Sequence, residues 1–225
     1  MEKFELIIPA AGSGTRMGGN TPKLLLKIGG VPIIRRTVKA FLDNFEGCRI
    51  TVVTGEESIR EALKDLPVRF APGGASRAES VYNGLKSLGS LDIDPSSKVL
   101  VHDGARCLID KDTIVRVLAA LDRFDAVTCG VPEKNTIKKV IRQEGDIIIE
   151  NTPPRTDYYE VQTPQGFNYK TMQECFDPKL LGDAITDDVM FAELKGIQAA
   201  IVEGSYSNIK ITTPEDIRTA EGLIG

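Results

Sequence analysis

The apolar positions of this chain fall into short runs alternating with helically spaced stretches. Leu6-Ile7-Ile8 is an unbroken apolar run of the kind that forms a buried central strand. Leu24-Leu25-Leu26 and Ile28 lead to a turn at Gly29-Gly30. Ile33, Ile34, Val38, Phe41 and Leu42 then follow at helical spacing within 32–44, with Pro32 suited to the first turn. Arg49 to Thr54 predicts a second buried strand, and Ser58 to Lys64 a short helix capped by Ser58. Val68 to Ala71 predicts a third strand ending at Pro72-Gly73-Gly74, before a helix from about Arg77 with Val81, Leu85 and Leu88 on one face. Lys98 to His102 reads as a fourth strand running into Asp103-Gly104-Ala105-Arg106. Ile114, Val117, Leu118 and Leu121 mark the next helix, and Ala126 to Val131 the strand after it. Strict strand–helix alternation implies an α/β, Rossmann-like fold: a mostly parallel sheet with helices on both faces. Such sheets bind ligands beyond the carboxyl ends of their strands. Pro9–Lys23, Pro72–Ser80 and Asp103–Arg106 each follow a strand directly, so they are expected to meet on one rim.

The pattern changes over 133–159. Thr136 to Val140 and Asp146 to Glu150 are strand-like runs joined by the polar turn Gln143-Glu144-Gly145, a hairpin without a crossover helix. It is expected to project as an arm, and its Ile147, Ile148 and Ile149 call for a partner subunit to cover them. The sheet resumes near Val161-Gln162-Thr163. Tyr169–Phe176 and Asp187–Leu194 read as helices, Ala199–Glu203 as a strand and Asn208–Thr212 as a short edge strand. A last helix is expected with Thr213 as N-cap and Pro214 at its first position. With no repeat, low-complexity segment or linker, residues 1–225 are expected to form a single domain, with 133–159 as its β-arm.

Composition narrows the class. The 225 residues are 41% hydrophobic and 27% charged, as in ordinary globular proteins. A net charge of −4 disfavours nucleic acid as a partner, because phosphate contacts need a basic surface, so an anionic ligand must be met by local cations. Cys48, Cys107, Cys129 and Cys175 lie far apart and signal neither a zinc site nor a disulfide framework; buried free thiols are expected. The start lacks a signal-peptide apolar region and no run is long enough to span a bilayer, so a cytoplasmic location without membrane association is expected.

The chemistry starts after the first strand, where the chain reads Pro9-Ala10-Ala11-Gly12-Ser13-Gly14. A loop with so few Cβ atoms lets backbone N–H groups converge on an anion. Arg16 and Lys23 add positive charge, which together describes a triphosphate cradle. Two familiar motifs fail: Met17-Gly18-Gly19-Asn20 cannot close a P-loop, and Met17 stands where the dinucleotide fingerprint needs its third glycine.

PAAGSGTRMG with its following PK, then GGASRAESVYNGL, VHDGAR, TPQGF, ITDD and NIKITTPED appear in order along the whole chain. With these motifs the chain resembles the 2-C-methyl-D-erythritol 4-phosphate cytidylyltransferase family. The first motif is shared by many sugar-phosphate nucleotidyltransferases; the set is far more specific. The resemblance implies transfer of CMP from CTP to a polyol phosphate, with pyrophosphate leaving and Mg²⁺ required. It implies that Arg16 and Lys23 stabilise the transition state, and that Arg155 and Lys210 hold the methylerythritol phosphate for attack. Pro9, Ala10, Ala11, Gly12 and Gly14 would bind the nucleotide, with cytosine read by Gly73, Gly74 and Ser80. Asp103 is expected to meet nucleotide and substrate, its choice between Mg²⁺ and hydroxyls left open, and the metal ligands themselves are not assigned. Arg106, Thr136, Thr163 and Thr186 match further substrate-side positions. A homodimer through the arm is also implied. His102 reads as a strand-end residue, since this chemistry has little use for an acid or base.

The sequence departs from the family's habit at Cys107 (usually Pro), Leu24 (commonly Gln), Ala75 and Ser207 (both frequently acidic). The last two weaken the transfer of polar contacts made by those side chains, and neither touches the cations. A ribitol 5-phosphate cytidylyltransferase is the nearest alternative reading, and a non-catalytic nucleotide-binding regulator the alternative from another class; the latter predicts loss of Arg16 or Lys23, and both are present.

Overall fold

The computed structural model describes residues 3–12, 22–182 and 184–224. Strand β1 (Phe4–Pro9) runs through the middle of the molecule, buried on both faces. A tight β2–β3 hairpin (Lys27–Ile28, Val31–Pro32) turns at Gly29-Gly30 and leads into helix α1 (Ile33–Leu42). Then come β4 (Cys48–Val53), α2 (Glu57–Leu63), β5 (Val68–Ala71), α3 (Arg77–Leu88), β6 (Lys98–Val101) and α4 (Lys111–Ala120). The second half holds β7 (Ala126–Pro132), β8 (Lys139–Gln143), β9 (Asp146–Asn151), β10 (Tyr159–Asn168), α5 (Tyr169–Cys175), α6 (Val189–Leu194), β11 (Ala199–Glu203) and α7 (Pro214–Ile224).

Among the described residues, seven strands form one sheet in the order β11-β7-β10-β6-β1-β4-β5. β10 is antiparallel to both of its neighbours, and the remaining pairings are parallel. Side chains alternate across the pleat, so β1 feeds two cores. Leu6 and Ile8 pack with α1 and α4, and Ile7 packs with α3, α5 and α6. The expected α/β sheet with helices on both faces is the architecture observed.

The 133–159 segment forms its own two-stranded ribbon, β8–β9, apart from the main sheet. Its turn is tighter than expected, two residues rather than three: Glu144 (φ 52°) and Gly145 (φ 94°) both lie in the left-handed region, as a type I′ hairpin requires. The first strand starts at Lys139, leaving Thr136 to Lys138 outside the ladder. Ile147 and Ile149 are 58% and 59% exposed.

Two expectations are corrected. Ser58 does not cap α2; the helix starts at Glu57, and the turn before it is held by Thr54, whose Oγ1 accepts from the Glu56 N–H at 3.1 Å. Asn208–Thr212 is not an edge strand. The segment is pinned by a backbone bond, Ile211 N–H to the Ala105 carbonyl at 2.9 Å, and by the buried Asn208 side chain donating to the Thr163 carbonyl at 2.8 Å. Its alternating isoleucines reflect burial of Ile211, not pairing. The Thr213 cap of α7 is observed: its N–H donates to Asp216 Oδ2 at 2.8 Å, and its hydroxyl accepts from the Asp216 N–H at 3.4 Å. No helix among the described residues is long and apolar enough to cross a membrane.

Candidate active site

A cleft of about 640 Å³ opens at the carboxyl ends of β1 and β6. Pro9 to Gly12 form one wall, Lys23 and Leu24 continue it, and Gly74 to Arg77 with Ser80 form another. Asp103 to Ala105 make the floor, and Lys210 and Thr212 close the far side. The described parts of the three post-strand segments therefore do meet on one rim. Arg16 and Gly14 lie outside the described residues.

The first loop is less generous with donors than its composition suggests. Pro9 has no N–H, and the Ala10 N–H extends the sheet by donating to the Val53 carbonyl at 2.8 Å. Ala11 and Gly12 are the N–H donors that the described part of the loop can offer. Lys23 is half-buried at the start of a short 3₁₀ turn, Lys23–Leu25, anchored by buried Leu24.

The second wall is built by helix capping. Ser76 caps α3 by accepting from the Glu79 N–H at 3.1 Å, and Glu79 returns the bond by accepting from the Ala75 N–H at 2.6 Å. Ser80 Oγ donates to the Ser76 carbonyl (3.0 Å) and accepts from the Gly74 N–H (3.0 Å). Gly73 sits just behind the cleft, where a Cβ would fall 2.7 Å from Ala11 Cβ; only glycine lets these two loops close on each other.

Asp103 is the centre of the floor. Its Oδ1 accepts from Arg77 Nε at 3.0 Å, its Oδ2 pairs with Lys210 Nζ at 2.7 Å, and Arg106 Nε stands 3.8 Å from Oδ2. Burial alone would raise the pKa of Asp103, but Arg77, Lys210 and Arg106 outweigh it and hold the carboxyl well below the usual carboxylate range. Arg77 also forks onto fully buried Asp188, Nη1 to Oδ1 at 2.9 Å and Nη2 to Oδ2 at 2.7 Å. Arg77, Arg106 and Lys210 thus gather around the buried Asp103, and Lys23 adds positive charge to the cleft wall, in a protein of net charge −4.

Below the floor a hydrogen-bond relay supports Asp103. Burial, partly countered by the bond to the Arg106 carbonyl, pushes His102 down to about 4, so its ring is neutral. Its Nε2–H then donates to that carbonyl (2.9 Å), the Thr163 hydroxyl donates to Nδ1 (3.0 Å), and Thr163 Oγ1 accepts from the Asp103 N–H (3.0 Å). Thr163, read from the family motif as a substrate-side residue, is buried with its hydroxyl engaged in this relay. His102 is the single histidine of the chain, which makes the relay testable. The folded protein resists protonation that the unfolded chain accepts near pH 6.5. Stability from this group is therefore complete above pH 6.5 and is lost as pH falls to about 4. His102 should add about 1 kcal/mol per pH unit to the fall in unfolding free energy, measured by urea titration between pH 6 and 4.5. His102→Gln should show a slope shallower by that amount, and an equal slope in both proteins would reject the assignment.

The other expected residues are less united. Arg106 is mostly buried, with Nη1 donating to the Asn208 carbonyl at 2.7 Å. Arg155 is exposed at the base of the arm, where Nη1 donates to the Lys134 carbonyl at 2.7 Å, and it does not line the cleft of its own chain. Thr136 and Thr186 are exposed and also lie off the cleft lining. Arg77 and Asp188 went unread as site residues, although both stand inside quoted motifs (ASRAES, ITDD). The signal that could have found them is charge: an arginine in the first turn of a helix, where the dipole disfavours cations, needs carboxylates nearby.

The described residues do not build a cage for Mg²⁺. Among the described residues no three His, Cys, Asp or Glu side chains converge, and both oxygens of Asp103 are committed to cations.

Residues 4–225 match the family described as 2-C-methyl-D-erythritol 4-phosphate cytidylyltransferase. Relatives carrying that name include proteins of Bacillus cereus, 40% identical with 98% of this chain and 97% of theirs covered, and of Nostoc punctiforme, 40% identical with 97% of each covered. Among solved structures, the 4-diphosphocytidyl-2C-methyl-D-erythritol synthase of Anaerococcus prevotii superposes with a TM-score of 0.81 at 31% identity, covering 99% of this chain and 96% of that one. The cytidylyltransferase of Thermus thermophilus gives 0.78 at 32%, covering 99% and 98%. With a family match over residues 4–225 and relatives 40% identical over nearly the whole chain, the chain belongs to the 2-C-methyl-D-erythritol 4-phosphate cytidylyltransferase family.

Proposed function

We propose that the cleft transfers CMP from CTP to 2-C-methyl-D-erythritol 4-phosphate, releasing pyrophosphate, by in-line attack of the substrate phosphate on the α-phosphorus. The nucleophile is already anionic, so alignment and charge stabilisation carry the reaction and no general base is needed. The observation that carries this reading is the pairing of Lys210 with Asp103 in the cleft that Lys23 also lines. Lys23, with Arg16, takes charge building on the α-phosphate and the departing pyrophosphate. Lys210 orients the incoming phosphate. The Mg²⁺ implied for the family finds no protein cage among the described residues, so no step is routed through it. A cytoplasmic protein without nucleic acid or membrane partners fits this chemistry. Pyrophosphate release assayed with CTP and each polyol phosphate in turn tests the reading; release only with ribitol 5-phosphate would overturn it.

Base choice follows from Ser80. Its proton is committed to the Ser76 carbonyl, so what it offers a base is a lone pair. A lone pair accepts from the 4-amino group of cytosine and repels the 4-carbonyl of uracil. CTP should therefore exceed UTP in kcat/KM by about 10⁴ or more, because the wrong base leaves buried polar groups unpaired. Equal rates would show that the cleft reads only sugar and phosphates.

The arm serves a dimer in this reading. A two-stranded ribbon exposing isoleucines at 147 and 149 is marginal alone and gains from a second copy. Arg155, off its own cleft, then reaches the partner's site.

A further inference from the structure

We infer that Arg77 is a positioning residue for Lys210, acting through Asp103; this rests on the reading that Lys210 orients the substrate phosphate. Lys210 itself has little to fix it. The backbone on either side is pinned at Asn208 and Ile211, but the side chain is 41% exposed, and a lysine ammonium is a mobile point charge on a flexible stem. Its direction is set by Asp103 Oδ2 at 2.7 Å. Asp103 in turn could rotate, except that Oδ1 is taken by Arg77 Nε at 3.0 Å.

The far end of the guanidinium explains why that contact is rigid. Both terminal nitrogens fork onto Asp188, which is fully buried. Asp188 is itself held: its N–H donates at 2.7 Å to Oε1 of Gln165, a buried side chain of β10. A planar fork fixed at two nitrogens leaves its Nε one direction. The line of constraint thus runs from Gln165 through Asp188 and Arg77 to Asp103, and ends at the Lys210 ammonium. A buried ion pair kept only for stability has no need to end on an exposed lysine at the cleft.

The test is a kinetic cycle on the full chain with CTP and 2-C-methyl-D-erythritol 4-phosphate, folding checked by circular dichroism. Arg77→Lys keeps the charge and loses the fork. It should lower kcat/KM for the polyol phosphate about tenfold or more while KM for CTP stays within about threefold. Because the clamp acts through Lys210, Arg77→Lys/Lys210→Ala should be no slower than Lys210→Ala alone, within about twofold. Losses that multiply, or KM values for both substrates that rise in step, overturn the inference. Normal turnover by Lys210→Ala overturns the role of Lys210 itself, and the clamp with it. Should Arg77→Lys not fold, Asp188→Asn loosens the far end with Arg77 in place. The same selective loss, smaller in size, is expected there, and unchanged constants in that folded protein overturn the proposal.

Discussion

Lys23→Ala should lower kcat by about 10²–10³ while leaving the fold intact. The truncation spares the packing that holds this segment: the chain there is fixed by buried Leu24 and by the Leu25 and Leu26 N–H groups, which donate to the carbonyls of Pro22 (2.8 Å) and Lys23 (3.1 Å). What is lost is an ammonium in the cleft wall, where the proposed reaction moves charge from the α-phosphate toward the leaving pyrophosphate. A preorganised donor aimed at developing charge contributes about 3–4 kcal/mol to the barrier. Because the interaction strengthens as the bond breaks, kcat should fall more than CTP affinity does. Single-turnover rates and circular dichroism check both halves. Near-normal turnover in a folded Lys23→Ala protein would reject the role.

Lys23→Ala and Arg155→Ala subunits, each inactive alone, should regain activity when mixed and allowed to exchange. The reason is geometric. Arg155 stands on the arm, bonded to the Lys134 carbonyl and absent from the lining of its own cleft. If it serves the partner's site across a twofold axis, a mixed dimer collects both defects in one site and leaves the other native. Random exchange makes about half the dimers mixed, so about a quarter of wild-type sites should return. If Arg155 serves its own chain, every site keeps a defect. No recovery despite exchange confirmed by mass spectrometry would exclude the shared site.

Much of this fold was legible because buried parallel strands are written as plain apolar runs. Leu6-Ile7-Ile8 pointed to the central strand, and the glycine-rich segments after β1 and β5 marked the rim. Asn208–Thr212 misled because a segment pinned by a backbone bond and an asparagine side chain alternates as a strand does. The donor set of the first loop was over-read for a related reason: sequence shows how small Ala10 is, not that its N–H is spent on Val53. Arg77 was missed because its partners, Asp103 and Asp188, are 26 and 111 residues away. A charge cluster closed over such separations has no local spacing to read. The matching motifs supplied what spacing could not, namely which lysine and which arginine to follow.

All four thiols of the chain are buried, and burial raises the pKa of each. Each sulfur is therefore a silent clock that starts only when its surroundings open. Cys107 lies two residues beyond the cleft floor and packs in the core of α1 and α4, while Cys175 sits in α5 on the opposite face of the sheet. Labelling the two in one sample times the breathing of the two cores separately. Ligand that slowed the Cys107 clock and not the Cys175 clock would locate its grip on one side of the molecule.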